Sequence, residues 1–188
     1  MRTFYGYPDV KIYVCNLGMY NDGHGVDAGD WLTLPVDEDD FKKFLKEKCF
    51  IGTTDEFGQP YEEWFITDYD YDLPFKLYIG EYENIMALSE LVEELGYFHS
   101  SELESIGAYM ECNSNNLEEA MDTIRSGRYM HLPFCKNYED LGEHLFQNSR
   151  FYEKIPADFR DYINYEKFGK YNSENGTISE IYGYFESY

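Results

Sequence analysis

Between Asp55 and Ile124 the chain carries 18 acidic side chains and a single base, Lys76, so any fold it adopts has to hold those charges at its surface. This stretch supplies −17 of the formal net charge of −22. The flanks are ordinary, with nine acids against six bases in residues 1–54 and ten against eight in residues 125–188. Like charges three or four residues apart on a helix each cost roughly 0.2–0.5 kcal/mol, and a large net charge makes the compact state repel itself. Solubility of a small domain needs only about 2–8 net charges. A surplus concentrated in one segment therefore points to recognition of a basic partner, the plain alternative being a merely well-solvated surface.

The charge also disfavours direct binding to DNA, RNA or anionic lipid, which depends on Lys and Arg neutralising phosphates. It is not the acidity of a disordered tail, because 43% of the residues are hydrophobic and 20 Tyr and 14 Phe are present. No apolar run reaches the 18 residues a membrane span needs, and the first residues lack the charged and apolar regions of a signal peptide. The expected location is the cytoplasm. Four widely spaced cysteines, Cys15, Cys49, Cys112 and Cys135, contain no C-x-x-C pair and read as reduced thiols in or near the core.

Hydrophobic periodicity predicts an α+β chain. Residues 11–17 and 31–34 are β-like runs joined by a long turn-rich loop, forming a hairpin. A short helix follows Pro35, with Asp37 as N-cap and Lys42, Lys43, Lys46 and Lys48 toward its C-terminal end. Residues 62–68 read as a third strand. Asn84 then caps a helix whose apolar stripe is Ile85, Leu88, Leu91, Val92 and Leu95, with Gly96 as its stop. Ser101 with Glu104, and Asn116 with Glu119, have capping-box spacing and start helices near 102–112 and 117–125. Beyond residue 126 come a mixed stretch, a helix at about 138–147 capped by Asn137, another beginning at Pro156, and a final run, 178–188, that alternates like one strand. The switches of period divide the chain into an N-terminal α+β unit (1–83), a central acidic helical unit (84–125) and a C-terminal α+β unit (126–188).

Enzymatic constellations fare poorly. Asp68, Asp70 and Asp72 begin like a calcium loop, but Leu73 stands where Gly is needed and Ile79 where a bidentate Glu is needed. These carboxylates leave a metal-dependent nuclease as a minor alternative, opposed by the acids that would repel a substrate phosphate. His131 and Cys135 are four apart, yet Pro133 between them argues against a helix presenting both to zinc. The expectation is a protein without catalysis, metal or cofactor.

The acids themselves are the remaining constellation. Glu90 and Glu94 lie one helical turn apart, with Glu83 assigned to the same side, so neighbouring carboxylates stand roughly 5–6 Å apart. Asp68, Asp70 and Asp72, if extended, project from one face at about 6.6–6.8 Å intervals. With Glu81, Glu93, Glu102, Glu104, Glu111, Glu118, Glu119 and Asp122 they form the candidate partner-binding set. Duplex DNA carries one charge per ≈1.7 Å of axis, so 17 net charges match about 29 Å of it.

The run KIYVCNLGMYNDG with WLTLP after it, then EEWFITDYDYDLPF, GEY at 80–82 and a helix starting at Asn84, together with IPADFRDYINYEKFGKY at 155–171, resembles the ArdA antirestriction family. Four collinear pieces from about Val10 to Tyr171 carry the resemblance. It implies an elongated chain of three small units: an antiparallel sheet with a helix, a small helical bundle and a mixed C-terminal unit. It also implies a DNA mimic, typical of mobile genetic elements, that occupies the DNA-binding groove of type I restriction-modification enzymes at their methyltransferase core, forms a homodimer and uses no cofactor. An acidic adaptor or chaperone for another basic DNA-binding protein is the runner-up. Because two acidic segments face to face repel, the dimer contact is expected in residues 125–188, with Tyr129, Phe134, Tyr138, Phe146, Phe151 and Tyr152 as candidates.

Overall fold

The structure, a computed structural model, describes residues 3–188 apart from the side chain of Val26. Among the described residues eight α-helices and two three-stranded antiparallel sheets make a mixed α+β fold, as the periodicity predicts. The chain forms two compact units, Met1–His99 and Ser100–Tyr188. The stretch 84–125 is shared between them, its first helix lying in the first unit and the next two in the second.

In the first unit, β1 (Val10–Asn16) alternates a fully buried row, Val10, Ile12 and Val14, with the partly exposed Lys11 and Tyr13. The sheet order is β2-β1-β3, with β2 at Gly29–Leu34 and β3 at Trp64–Tyr71, both antiparallel to β1. The connection from β1 to β2 is not an open loop. It begins with the single-turn helix α1 (Leu17–Met19) and continues in tight helical turns to Ala28. Its anchor is Asn16, fully buried, whose side chain accepts from the Met19 N–H at 3.0 Å and donates to the Cys49 carbonyl at 2.8 Å. A buried amide with both ends satisfied fixes a loop that an apolar residue would leave unpinned.

The helix α2 (Glu38–Glu47) starts where Asp37 accepts from the Asp40 N–H at 2.8 Å, and packs Phe41 edge-on against Trp64. The helix α3 (Ile85–Leu95) is capped by Asn84, which accepts from Met86 and Ala87, and buries Ile85, Leu88, Val92 and Leu95 on one stripe. That stripe is what holds the helix in place, since an isolated 11-residue helix is marginal in water.

The second unit begins with α4 (Ser100–Cys112) and α5 (Leu117–Ser126), the latter closed by Gly127 in the left-handed region at φ 68°. Then come β4 (Tyr129–Leu132), α6 (Tyr138–Gln147) capped by Asn137, a single turn α7 (Ala157–Arg160), α8 (Tyr165–Asn172), β5 (Gly176–Ser179) and β6 (Gly183–Ser187). The strand order is β4-β6-β5. Four features depart from the periodicity, the first being that α4 already begins at Ser100, so Ser101 lies inside the helix rather than capping it. The final run is a hairpin rather than one strand, because the Ser179 hydroxyl accepts from the N–H groups of Ile181 and Tyr182 and Gly183 turns the chain at φ 84°. The mixed stretch holds β4. The helix α8 is extra, and Asn164 caps it through the Lys167 N–H at 2.8 Å.

Gly142 of α6 and Gly169 of α8 show why that extra helix is there. A Cβ on Gly142 would meet the Tyr165 carbonyl, and one on Gly169 would meet the Tyr138 carbonyl. The two helices approach backbone to backbone at this pair of glycines, with Phe146 packed against Tyr165 and Phe168. No helix among the described residues is long and apolar enough to cross a membrane.

Candidate partner-binding surface

The alternation of β3 determines which carboxylates face outward. Asp68 pairs in register with Tyr13, and Asp70 with Lys11, so both acids share the solvent face of the first sheet. A register shift between Ile66 and Asp68 leaves Thr67 as an extra residue, and Thr67 and Asp68 are consecutively exposed. Such bulges re-aim side chains. Asp72 lies one residue past the strand, its N–H bonded to the Asp9 carbonyl at 2.9 Å. It is exposed but outside the extended run expected of all three.

On α3, Glu90, Glu93 and Glu94 are exposed opposite the buried stripe. Glu83 is a correction to the predicted row. It precedes the cap residue Asn84 and sits in a turn, where its Oε2 accepts from the Gly80 N–H at 3.4 Å, so helical spacing does not relate it to Glu90. Glu81 is exposed in the same turn. In the second unit Glu104, Glu111, Glu118, Glu119 and Asp122 are exposed and Glu102 is half-buried. Glu111 accepts from the Ser179 hydroxyl at 2.9 Å. Asp122 is ion-paired with Arg125 at 3.0 Å, so a base just beyond the acidic segment neutralises its last member. Among the described residues no cation pairs with Asp68, Asp70, Asp72, Glu81, Glu90, Glu93, Glu104, Glu118 or Glu119.

Two lysines, one in α2 and one at its C-terminal cap, are by contrast engaged. Lys42 meets Glu38 at 2.6 Å and Lys48 meets Asp30 at 3.1 Å. The hydrogen bond from Lys48, then that from the Trp31 N–H, holds the Asp30 carboxyl below its usual range. In residues 55–99 of the first unit, 12 acids face one base.

The cysteines are free thiols, with Cys15, Cys49 and Cys135 buried and Cys112 partly so. Burial pushes Cys49 up to about 12 and Cys135 up to about 11, which keeps both protonated and poorly nucleophilic. One pairing was not visible in the sequence. The Ser105 hydroxyl lies 2.8 Å from Nδ1 of His131, whose Nε2 lies 2.8 Å from the Tyr182 carbonyl. Ser105 is buried and also donates to the Ser101 carbonyl, so the pair ties α4 to the second sheet. Among the described residues no three His, Cys, Asp or Glu side chains converge as a metal site.

Of the aromatic residues expected at a dimer contact, Phe134, Tyr138 and Phe151 are exposed and Tyr129 is partly so. Tyr152 is partly covered by the Arg160 guanidinium, 3.8 Å from its ring centroid. Phe146 is buried at 3% exposure among Tyr152, Tyr165 and Phe168, and offers no surface to a second copy.

A family model described as antirestriction protein (ArdA) matches residues 12–186. No curated protein matches the chain.

Proposed function

The chain belongs to the ArdA antirestriction protein family, and from that premise we propose that it inhibits type I restriction-modification enzymes by offering its carboxylates to their DNA-binding groove in place of phosphates. The observation that carries this reading is the exposed set on β3, the 81–83 turn and α3, of which Asp68, Asp70, Asp72, Glu81, Glu90 and Glu93 meet no cation among the described residues, within a segment of 12 acids and one base. Its net charge equals that of about 19 Å of duplex DNA. The acids of α4 and α5 add to the set, with Asp122 contributing least because Arg125 already holds it.

Binding of this kind is electrostatic and distributed. Replacing Glu90, Glu93 and Glu94 together by Gln is expected to weaken competition with DNA for a purified type I methyltransferase on the order of tenfold, from three exposed charges worth up to about 1 kcal/mol each. The same change at Asp158, Asp161 and Glu166, where Glu166 is already tied to Lys170, is expected to have little effect. Equal losses from the two triple variants overturn the assignment of the central acids. Inhibition falls as salt rises, since the Debye length shrinks from about 10 Å at 0.1 M to about 3 Å at 1 M, and EDTA leaves it unchanged. Self-association is assigned to the exposed aromatics Phe134, Tyr138 and Phe151 with Tyr129, and light scattering on the triple variant lacking Phe134, Tyr138 and Phe151 tests it.

A further inference from the structure

The open face of the first sheet contains a cleft of about 380 Å³ lined by Tyr13, Cys15, Tyr20, Gly25, Trp31, Thr67 and Asp68. Ligand pockets run from roughly 300 to 1,000 Å³, so this one suits a side chain or a small ion better than an extended ligand. Strand register builds it. Trp31, Tyr13 and Asp68 are direct cross-strand neighbours, one on each of the three strands. The turns after α1 fold Tyr20 and Gly25 over the end of the sheet, above the buried Cys15.

The walls are fixed in advance. Tyr13 meets Trp31 edge to face at 5.4 Å and its hydroxyl donates to the Gly29 carbonyl at 2.9 Å, while Tyr20 meets Phe65 edge to face at 5.3 Å. Trp31 and Tyr20 nevertheless keep 42% and 49% of their surface exposed, so their rings are available to an incoming group. The field in the cleft is negative. Asp68 uses Oδ1 to accept from the Tyr69 N–H at 2.8 Å, and no cation among the described residues pairs with its other oxygen. Burial first, and then the neighbouring Cys15 and Asp30, push the Tyr13 phenol above its usual range. Burial also raises the Cys15 thiol, which stays neutral. The cation of the same face, Lys11, is turned to Asp9 at 2.8 Å and sits opposite Asp70, one row further along.

Aromatic walls with a carboxylate at the rim are the chemistry that accepts a planar cation. A guanidinium stacks on aromatic rings and pairs with carboxylate oxygens, which an ammonium does less well. We propose that this cleft is a socket for one arginine side chain of the basic protein that the chain engages. The proposal rests on the reading above that the partner is a DNA-binding protein, and it adds a point of specific anchorage to an otherwise distributed charge surface. Arginine is a preferred anchor at protein interfaces because it fills a pocket and satisfies charge together.

The test uses the full chain and Nα-acetyl-arginine amide, with the isosteric but uncharged Nα-acetyl-citrulline amide as control, read by the indole N–H resonance of Trp31 assigned through Trp31→Phe and Trp64→Phe. A saturable shift at Trp31 with the arginine compound, absent with the citrulline compound and at least about fivefold weaker in Asp68→Asn, is the expected result. The Asn retains an oxygen for the Tyr69 N–H, so the fold is preserved and an unchanged amide spectrum verifies it. No shift at Trp31, or equal shifts from the two compounds, overturns the socket. Competition with DNA for a type I methyltransferase then separates the two proposals. Full inhibition by wild type with no arginine response leaves the mimic standing and removes the socket, whereas an arginine response without DNA competition keeps the socket and removes the mimic.

Discussion

The two sheets of this protein have the same number of strands and the same antiparallel pairing, yet they use their faces differently. The central strand of the first, β1, alternates buried and accessible residues from Val10 to Val14 before its end is covered at Cys15 and Asn16, so over that length one face carries the core and the other carries Lys11 and Tyr13 between Trp31 and Thr33 on one side and Asp68 and Asp70 on the other. The central strand of the second, β6, buries Gly183, Tyr184 and Phe185 in succession, which puts both faces inside. Tyr184 joins Leu141 and Cys135 in one cluster, and Phe185 stacks on Tyr129 with Tyr109 and His131 beside it. An antiparallel sheet with one solvated face can devote that face to binding without touching the core. A sheet covered on both faces is committed to holding its unit together. Charge follows the same division, with 21 acids against 7 bases in residues 1–99 and 16 against 8 in residues 100–188.

The sharpest way to break this contrast is to truncate an aromatic residue in each sheet. Phe185→Ala removes a fully buried ring and is expected to cost about 3–5 kcal/mol in denaturant unfolding. Trp31→Ala removes a larger ring that is 42% exposed, and is expected to cost less than half as much. Similar costs at the two positions would mean that the first sheet depends on its open face for stability, and its assignment to binding would lose its basis.

A smaller effect is expected at His131, which links α4 to the second sheet through Ser105 and the Tyr182 carbonyl. The carbonyl can only accept, so Nε2 carries the proton, and the single hydroxyl proton of Ser105 lies between Nδ1 and the Ser101 carbonyl. His131→Phe keeps a ring against Phe185 and removes both imidazole hydrogen bonds, at a cost of about 1–3 kcal/mol. Ser105→Ala removes the hydroxyl from Nδ1 and the Ser101 carbonyl but leaves the Nε2 bond to the Tyr182 carbonyl in place, and is expected to cost less. The reverse order in thermal unfolding would show that the link runs through Ser105 and Ser101 instead.

The sequence disclosed what is local. Asp37, Asn84, Asn116 and Asn137 cap the helices they were expected to cap, because a cap is decided within three or four residues. The exposure of most of the acids was equally legible, since an unpaired carboxylate has nowhere else to go. What escaped depends on long-range contact. The helix α8 was hidden by Gly169, which reads as a helix stop until Gly142 of α6 is seen against it. The strand β4 has four residues and no alternation of its own, and exists because β6, far later in the chain, returns to it. Phe146 looked like an interface aromatic for the same reason: nothing local says that Tyr165 and Phe168 fold back over it. The cleft on the first sheet needs the bulge at Thr67 and the register of three strands, neither of which one strand's sequence contains. The Asn16 anchor was nearly within reach, as an Asn at a strand end before a glycine-rich loop, but its partner Cys49 is 33 residues away.

The smallest expected effect tests whether charge contributes to the fold of the first unit at all. Asp30 on β2 meets Lys48 just beyond α2 at 3.1 Å, with 44% and 55% of the two side chains exposed. Solvent screening limits such a pair to about 0–1 kcal/mol. Its pH dependence follows from the direction of the shift. The Asp30 carboxyl is held below its ordinary value by the Lys48 hydrogen bond and then by the Trp31 N–H, so its contribution is complete above the unfolded value of about 3.9 and is lost as pH falls through the lower folded value. Asp30→Asn is therefore expected to lower stability by less than about 1 kcal/mol near neutral pH, with the gap to wild type closing in acid and narrowing in high salt. Glu38, paired with Lys42, titrates in the same direction in both proteins and cancels from the comparison. A gap that persists unchanged in acid would trace the loss to the packing of the β2 edge, and the open sheet would then owe its shape to contacts alone.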